Sequence, residues 1–401
     1  MTNPQSTFRQ RLSRLRTDER GMTLVFMSVA FLAFIAASML AIDVGLFMTA
    51  RSQAQRAADA GALAGATALV FNDFDDRTET GPAVTSAVNT AASNSIVNGA
   101  PSVKPEDVTF PANPDTGQND LVEVTVYRSS AEGRANPIAT LMARTFGLNT
   151  FNIAATARAQ AAPAGGATCV LPLTIPDKWD ENQTGEWSPD DSFNIYETQG
   201  SNQNQGAPIV PPDVYVPPGY PGATGYKPHV DKGTILTLKF NNDNKLAPSW
   251  YNAWDLPGNV GGDDYREDIA DCNPHLAKIG DLMIPENGNM VGPTKQGGDD
   301  LIALDPDAYW DDGCKCVKGS NARQSPRIKT VPLFDPVLYA EGQHTGKAKP
   351  ELKIVNYLGF FVEEVNAGGE VIGRITPITG KIVKGAPTPT GAFAAAIVLV
   401  K

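Results

Sequence analysis

The run MTLVFMSVAFLAFIAASMLAI, residues 22–42, contains no charged side chain. As an α-helix it would be about 31 Å long at about 1.5 Å per residue, which matches the hydrocarbon core of a bilayer, about 30 Å thick. Asp43 is the first charge after the run, and five arginines precede it: Arg9, Arg11, Arg14, Arg16 and Arg20. By the positive-inside rule, this order predicts a cytoplasmic basic tail over residues 1–20, a transmembrane helix over 21–42 and an exported body from 43 onward.

Three other interpretations of the apolar run compete with a membrane anchor. A cleaved secretory signal has a shorter apolar region, of about 7 to 15 residues, although Ala36–Ser38 offers a small-residue cleavage site. A prepilin-type leader would place its glycine at Gly21, but Phe26 stands where such leaders carry glutamate. A buried core helix is the third interpretation. The length of the run favours an intact anchor.

No proline interrupts the chain from Asp43 to Val70, so the sequence predicts that the apolar helix continues into one long exported helix. At a period of about 3.5 residues, a set of small or apolar residues shares one face: Phe47, Ala50, Ala54, Ala57, Gly61, Ala64, Ala68 and Phe71. Gly61 and Gly65 have the spacing that lets two helices approach closely. This face predicts close packing, within the chain or on a partner helix. A solvated helix rich in alanine for its helix propensity is the alternative.

The segments AIDVG (Ala41–Gly45) and AADAGALAGA (Ala57–Ala66) resemble the N-terminal segment of the TadE/TadG-like family of Flp pilus-assembly proteins. The motif and packing positions in this sequence are Asp43, Gly45, Ala57, Asp59, Gly61, Ala64 and Gly65. The resemblance implies a bacterial inner-membrane protein of the tight-adherence secretion system. Its implied partners are the membrane and other pilus-assembly or secretion subunits, and it implies no enzyme. TadG-type proteins often add a von Willebrand factor A domain with an Asp-x-Ser-x-Ser metal site, a pattern absent here.

Residues 43–160 are predicted to form the long exported helix and a small α/β unit. Composition indicates a helix over 83–99, and alternating apolar residues indicate strands over 121–129 and 150–160. Asn136 and Pro137 are typical of a helix start, which predicts a further helix over 138–146 that ends at Gly147. This order resembles the pilin-like architecture, in which a protruding N-terminal helix lies on a small sheet.

A small-residue linker is predicted at 161–168, followed by a β-rich extracytoplasmic domain, dense in proline and glycine, over 169–401. The candidate strands of this distal domain are residues 234–240, 353–365, 370–378 and 393–400. The last of them is expected to be a buried strand that closes the chain. The fold class predicted for the whole chain is therefore α+β.

All four cysteines lie in the predicted distal domain: Cys169, Cys272, Cys314 and Cys316. In an oxidising periplasm, disulfides are the default state of such cysteines. Cys314 and Cys316 are so close in the chain that they are not expected to pair with each other. One of them should pair with Cys169 or Cys272, and the remaining two should pair if geometry allows. Zinc ligation by the Cys-Lys-Cys segment is a weaker alternative, because no second matched pair is near it.

Other ligands and chemistries find little support. The net charge of −11 argues against a surface that binds nucleic acid. Two acidic clusters, Asp305–Asp312 and Asp263–Asp268, could bind structural calcium. An EF-hand that begins at Asp305 would, however, hold Trp310 in place of its glycine and Cys316 in place of its glutamate. Solvated turns fit these clusters better, and no cofactor is expected. The common hydrolase, zinc-protease and phosphate-loop motifs are absent, so the sequence predicts no enzyme.

The predicted function is a non-enzymatic, single-pass inner-membrane component of Flp/Tad pilus assembly or of the associated secretion apparatus. The alternative is a membrane-tethered exported enzyme or glycan-binding module, carried by the distal domain. A deep polar cleft with converging carboxylates in residues 169–401 would favour the alternative. A flat or apolar face would favour a role in assembly.

Overall fold

A computed structural model of the chain describes residues 19–72, 76–114, 119–134, 136–218, 220, 222–258, 261–322, 324–381, 383 and 394–400. The basic tail predicted over residues 1–20 lies outside the described residues, except for its last two positions. Those two positions begin the first helix.

The first helix, α1 (Glu19–Phe71), runs through 53 residues without a break. At about 1.5 Å per residue it is about 80 Å long. Side chains between Met22 and Thr49 are mostly exposed, whereas from Ala50 onward one face of the helix is fully buried. The single continuous helix that the absence of proline predicts is confirmed. The two halves of α1 have different environments, and only the second half belongs to a packed core.

The second half of α1 packs on α2 (Pro82–Ser93) and on one face of a five-stranded sheet. The strand order in this sheet is β1 (Val108–Thr109), β2 (Leu121–Arg128), β5 (Ile153–Pro163), β18 (Ala394–Val400) and β17 (Ile378–Thr379). The predicted strands over 121–129 and 150–160 correspond to β2 and β5, which pair antiparallel. Buried alanines of both helices face buried valines of β2, so the helices lie close to the sheet. The helix predicted over 83–99 is shorter than expected.

The helix predicted over 138–146 is wrong. The structure forms a small antiparallel hairpin there, β3 (Ile138–Ala139) with β4 (Thr150–Phe151), and a single 3₁₀ turn at Ala143–Phe146. The carboxylate of Asp43 accepts hydrogen bonds from the backbone N–H groups of residues 141–143. A helix starting at residue 138 would use these N–H groups for its own hydrogen bonds. Leu141 and Phe146, which the helix would have buried together, are both exposed.

The distal region contains a closed barrel of six strands. They are β7 (Leu173–Pro176), β8 (Ile235–Phe240), β9 (Trp250–Asp255), β14 (Ile328–Phe334), β15 (Leu352–Val365) and β16 (Val371–Thr376). Around the barrel the order is β7–β14–β15–β16–β8–β9, and β9 pairs with β7 to close the ring. The β7–β14 and β8–β9 pairs are parallel, and the other pairs in the ring are antiparallel. The strands predicted over 234–240, 353–365 and 370–378 are confirmed.

Short elements surround the barrel. They are β6 (Gly166–Ala167), α3 (Pro228–Asp231), α4 (Gly262–Ala270), β10 (Ala277–Lys278), β11 (Leu282–Pro285), α5 (Val291–Ala303), β12 (Tyr309–Asp311), β13 (Cys316–Lys318) and α6 (Pro336–His344). Helix α4 packs on α5, α5 packs on β15, and β12 with β13 forms a hairpin. The barrel core is aliphatic and aromatic, with Ile175, Leu238, Leu333 and Phe360 fully buried.

The C-terminal strand does not close the distal barrel as predicted. β18 pairs antiparallel with β5 and parallel with β17, so it belongs to the first sheet. It is not a buried strand either, because Val398, Leu399 and Val400 are all exposed. The physical reason is that β5 has eleven residues, and β2 occupies only one of its two edges. The predicted linker over 161–168 also carries strand structure, since β5 extends to Pro163 and β6 follows it.

The predicted disulfide pairing is wrong. Cys169 pairs with Cys272, at a Cα–Cα distance of 4.3 Å, and Cys314 pairs with Cys316, at 5.2 Å. The short pair is feasible because Lys315 between the two cysteines has a left-handed backbone, with φ of 49°. This turn between β12 and β13 brings the flanking side chains to the same side. The long pair joins the segment before β7 to the residues after α4.

Candidate functional site

The first half of α1 is an exposed apolar rod. A window of 18 residues within it has a mean hydropathy of 2.5, and none of that window is buried. In the described part of the chain, this is the one helix that is long and apolar enough to cross a membrane. The core helix of a soluble protein would be largely buried, so the exposure disfavours the core-helix interpretation. A signal sequence would meet the same criteria of length and composition.

Asp43 joins this rod to the body. Its carboxylate accepts hydrogen bonds from the backbone N–H groups of Leu141 (2.8 Å), Met142 (3.2 Å) and Ala143 (2.5 Å). Partial removal from water raises the pKa of this carboxyl, but the three N–H groups outweigh that effect and hold the pKa below its ordinary value. The charged form of Asp43 therefore ties the end of the uncharged span to the 3₁₀ turn.

Gly45, the second motif residue, does not pack on the body. No atom outside its immediate neighbourhood lies within 4 Å of the place where its Cβ would be. On the same stretch of helix, Val44, Phe47 and Met48 are 46%, 38% and 63% exposed. The exposed apolar surface of α1 thus continues for about one and a half turns beyond Asp43.

Gly61 and Gly65 lie where α1 approaches α2 and β2 most closely. A Cβ at Gly61 would stand 2.9 Å from Ala91 Cβ and 3.1 Å from the carbonyl oxygen of Ala87. A Cβ at Gly65 would stand 2.9 Å from Val122 Cγ1. Distances this short leave no room for a side chain. The small-residue face of α1 therefore packs within the chain, one of the two arrangements the sequence left open.

The other motif residues of α1 lie in different surroundings. Ala57 is fully buried, while Ala64 and Asp59 are half-buried. Gln55 donates to the Asp59 carboxylate (2.9 Å) and to the carbonyl oxygen of Thr156 on β5 (3.3 Å). Asp59 therefore orients a side chain that holds α1 on the sheet.

Three aspartates of the Asp305–Asp312 cluster are engaged in contacts within the chain. Asp311 accepts from Lys318 (2.7 Å), and Asp312 accepts from Arg374 (2.8 Å). Asp305 is hydrogen-bonded to serine side chains, which lower the pKa of its carboxyl. Among the described residues, no group of three or more histidine, cysteine, aspartate or glutamate side chains could hold a metal ion. The calcium hypothesis gains no site from these clusters.

A cavity of about 290 Å³ lies beside the β12–β13 hairpin. Lys232, Lys315 and Lys318 line it together with Cys316, and none of the described residues that line it is an aspartate or glutamate. Burial, followed by the nearby charge of Lys315, lowers the pKa of Lys232. The positive charge of Lys318 is balanced by its salt bridge to Asp311, which raises the pKa of Lys318. The converging carboxylates that would indicate a hydrolase are not part of this cavity.

These features define a class of protein in which one exposed apolar helix of membrane length continues, without a break, into the core of a small α/β unit. Residues 21–68 of the chain match the sequence model of the putative Flp pilus-assembly TadE/G-like proteins. The resemblance carried by the AIDVG and AADAGALAGA segments is thereby confirmed over those residues. The match lies within α1. No curated protein and no solved structure matches the chain significantly.

Sequence reasoning missed the contact between Asp43 and the 3₁₀ turn. The two segments are 98 to 100 residues apart, and no pattern in one sequence connects them. One signal was available in the turn itself, where Leu141, Phe146 and Leu148 form an apolar group around a single charge, Arg144. The sequence pattern instead placed Leu141 and Phe146 on one face of the predicted helix.

Proposed function

We propose that the protein is a single-pass component of Flp/Tad pilus assembly, or of the associated secretion apparatus, without catalytic activity. Residues 21–42 anchor it in the bacterial inner membrane with the N-terminus in the cytoplasm and the body in the periplasm. The observation that carries the proposal is the match of residues 21–68 to the TadE/G-like family. The matched segment comprises the exposed apolar rod and its packed continuation, which are the parts that an anchored assembly subunit requires.

Two further features support an exported body. The four cysteines form two disulfides, which persist in an oxidising compartment such as the periplasm. The five arginines before the span and the acidic residue after it favour a cytoplasmic N-terminus. The second half of α1 lies on a five-stranded sheet while the first half protrudes, which supports a pilin-like unit. Other pilus-assembly or secretion subunits are the proposed partners.

Topology can be tested with reporters fused after Val70. Alkaline phosphatase, which folds only after export, should be active in this fusion, and a cytoplasmic reporter should be inactive. The matched control carries the same fusion on a chain whose five N-terminal arginines are replaced by glutamine, and we expect a reduced or inverted signal. Activity of only the cytoplasmic reporter in the wild-type fusion would contradict the proposed orientation.

The role in pilus assembly can be tested by deleting the gene and counting Flp pili by electron microscopy. We expect a loss of pili that the full chain restores. A chain in which residues 43–70 are replaced by an unrelated helix of equal length should not restore them, although it would still reach the membrane. Normal piliation of the deletion strain would refute the proposal. If the strain instead showed altered cell-surface polysaccharide, the enzyme or glycan-binding alternative would be favoured.

A further inference from the structure

The β3–β4 hairpin carries a loop to the level at which the uncharged span ends. Phe151 on β4 packs on Phe47 of α1, with 5.6 Å between the ring centroids. The hairpin continues with one more backbone contact, from Thr140 N–H to the carbonyl oxygen of Asn149 (3.0 Å). Asp43 then accepts hydrogen bonds from the N–H groups of residues 141–143, which follow Thr140. Because Asp43 lies about 6 Å nearer to the span than Phe47, the hairpin points toward the apolar half of α1.

Residues 141–148 form the tip of this hairpin, and we name them the apolar loop. Leu141, Phe146 and Leu148 are 49%, 69% and 64% exposed. Arg144 is the one charged residue of the loop and is also exposed, on a chain whose net charge is −11. Several large apolar side chains on one exposed loop mark a surface that a membrane or another molecule covers.

The tether at Asp43 sets the depth of the apolar loop. If residues 22–42 fill the hydrocarbon core, Asp43 lies at its boundary, and the headgroup layer extends about 5 to 8 Å further. Val44 and Met48 continue the exposed apolar surface of the span into that layer. A loop bound to Asp43 therefore stands within the headgroup layer rather than above it.

We propose that the apolar loop inserts into the interface of the lipid bilayer beside the exit of α1, as a second membrane contact of the chain. Phe146 and Leu148 reach the upper acyl chains, and Arg144 meets anionic headgroups. The inference rests on the proposed insertion of α1 in a membrane. It selects lipid over a protein partner because the apolar surface of the loop is joined to that of the span through Asp43. Its effect is to fix the height and tilt of the body on the membrane.

The test uses full-length protein in nanodiscs that contain lipids brominated in the upper part of the acyl chains and lipids brominated near their ends. The bromine atoms quench nearby tryptophan. Phe146→Trp reports on the apolar loop, and Leu148→Trp is a second reporter in case the first variant does not fold. Phe34→Trp, in the middle of the span and 71% exposed, is the positive control. Thr67→Trp, an exposed position of the same helix about 36 Å beyond Asp43, is the negative control. The emission of the unsubstituted protein, which has five tryptophans, is subtracted from the emission of each variant.

We expect brominated lipid to quench the added emission of Phe146→Trp, and that of Phe34→Trp, but not that of Thr67→Trp. Quenching of Phe34→Trp without quenching of either loop reporter would overturn the inference and leave the anchor intact. Absence of quenching at Phe34→Trp would instead refute the insertion of α1. A blue-shifted but unquenched Phe146→Trp, with a shift that disappears when each nanodisc holds one chain, would assign the loop to a second copy and overturn the inference.

Discussion

At the scale of single residues, Asp43 is the point where the apolar rod is tied to the body. Replacing it with asparagine removes the charge and turns one acceptor atom into a donor that faces backbone N–H groups. We expect Asp43→Asn to speed hydrogen exchange at the amides of residues 141–143, while α1 remains helical. Hydrogen-exchange mass spectrometry of the full chain in nanodiscs measures this change.

Asp59→Asn is the matched control, because Asp59 accepts its hydrogen bond from Gln55 on the same helix. It should leave exchange at residues 141–143 unchanged. The folded state lowers the pKa of Asp43, so the contribution of this carboxylate is present above about pH 3.9 and is lost as the pH falls further. Wild type and Asp43→Asn should therefore converge in strong acid. Equal exchange of the two at neutral pH would contradict the tether.

The two motif glycines give a prediction whose sign separates a packed helix from a solvated one. Leucine at Gly61 or Gly65 meets atoms of α2 and β2 within 2.9 to 3.3 Å of its Cβ. Overpacking of this kind costs about 1 to 3 kcal/mol, which exceeds the gain of under about 1 kcal/mol from replacing glycine in a helix. We expect Gly61→Leu and Gly65→Leu to lower the melting temperature of the full chain in detergent by a few degrees.

Gly45→Leu is the control for this pair, because it changes the same residue type in the same helix where no other atom lies within 4 Å of the added Cβ. It should not lower the melting temperature. If Gly61→Leu and Gly65→Leu raised the melting temperature as well, the close contact of α1 with α2 and β2 would not hold in solution.

At the scale of elements, the sequence predicted the helices and strands that show a pattern among neighbouring residues. The absence of proline predicted α1, alternation of apolar residues predicted β2 and β5, and the candidate strands of the distal domain predicted β8, β15 and β16. The helix expected over 138–146 failed because Asp43, about 100 residues earlier in the chain, removes the N–H groups it needs. The sheet that β18 joins was equally unpredictable, since β-pairing depends on which strand edge is free in the folded chain.

The same limit applies to the candidate site. The motif predicted the match of residues 21–68 to TadE/G-like proteins and the close-packed glycines, because small residues at helical spacing carry a local signal. The pairing of the cysteines could not be predicted from a local pattern. It depends on a left-handed turn at Lys315 and on the approach of two segments 103 residues apart.

The two disulfides enclose very different loops, and this predicts different contributions to stability. A loop of about 100 residues corresponds to a stabilisation of about 4.7 kcal/mol through the entropy of the unfolded chain, and the same relation gives less than about 2 kcal/mol for Cys314–Cys316. We expect the double variant Cys169→Ser, Cys272→Ser to lower the urea midpoint strongly. The matched double variant Cys314→Ser, Cys316→Ser should lower it slightly, and a larger effect of the short pair would contradict the entropic account.

At the scale of the whole molecule, α1 joins the exposed apolar rod to the first sheet, and β18 returns the end of the described chain to that sheet after the barrel. The barrel is therefore bounded in sequence by two strands of one sheet, β5 and β18. The apolar rod is held to the body through Asp43 and through the buried alanines of the same continuous helix. If α1 spans a membrane as proposed, this arrangement would hold the body at a fixed place above it.

Two buried carboxyls in the distal region make the stability of the molecule depend on pH. Asp177 is fully buried, and burial raises its pKa to about 6 although Tyr215, Tyr226 and Asn356 donate hydrogen bonds to it. Burial also raises the pKa of Asp213 to about 6, and the neighbouring charge of Glu181 adds to this effect. Both carboxyls stay protonated in the folded state at pH values where an unfolded chain has released the proton.

Between about pH 4 and pH 6 the folded state therefore binds more protons than the unfolded state, so the free energy of unfolding falls as the pH rises through this window. A shift of about two pKa units at Asp177 corresponds to roughly 3 kcal/mol at the upper end. We expect Asp177→Asn, which cannot ionise, to flatten this decline, even if its altered hydrogen bonds lower stability at every pH. Urea midpoints at several pH values measure the slope, with Asp311→Asn as the control because the pKa of that carboxyl is lowered. An Asp177→Asn slope equal to that of the wild type would mean that Asp177 is ionised in the folded barrel and that its buried donors stabilise the charge.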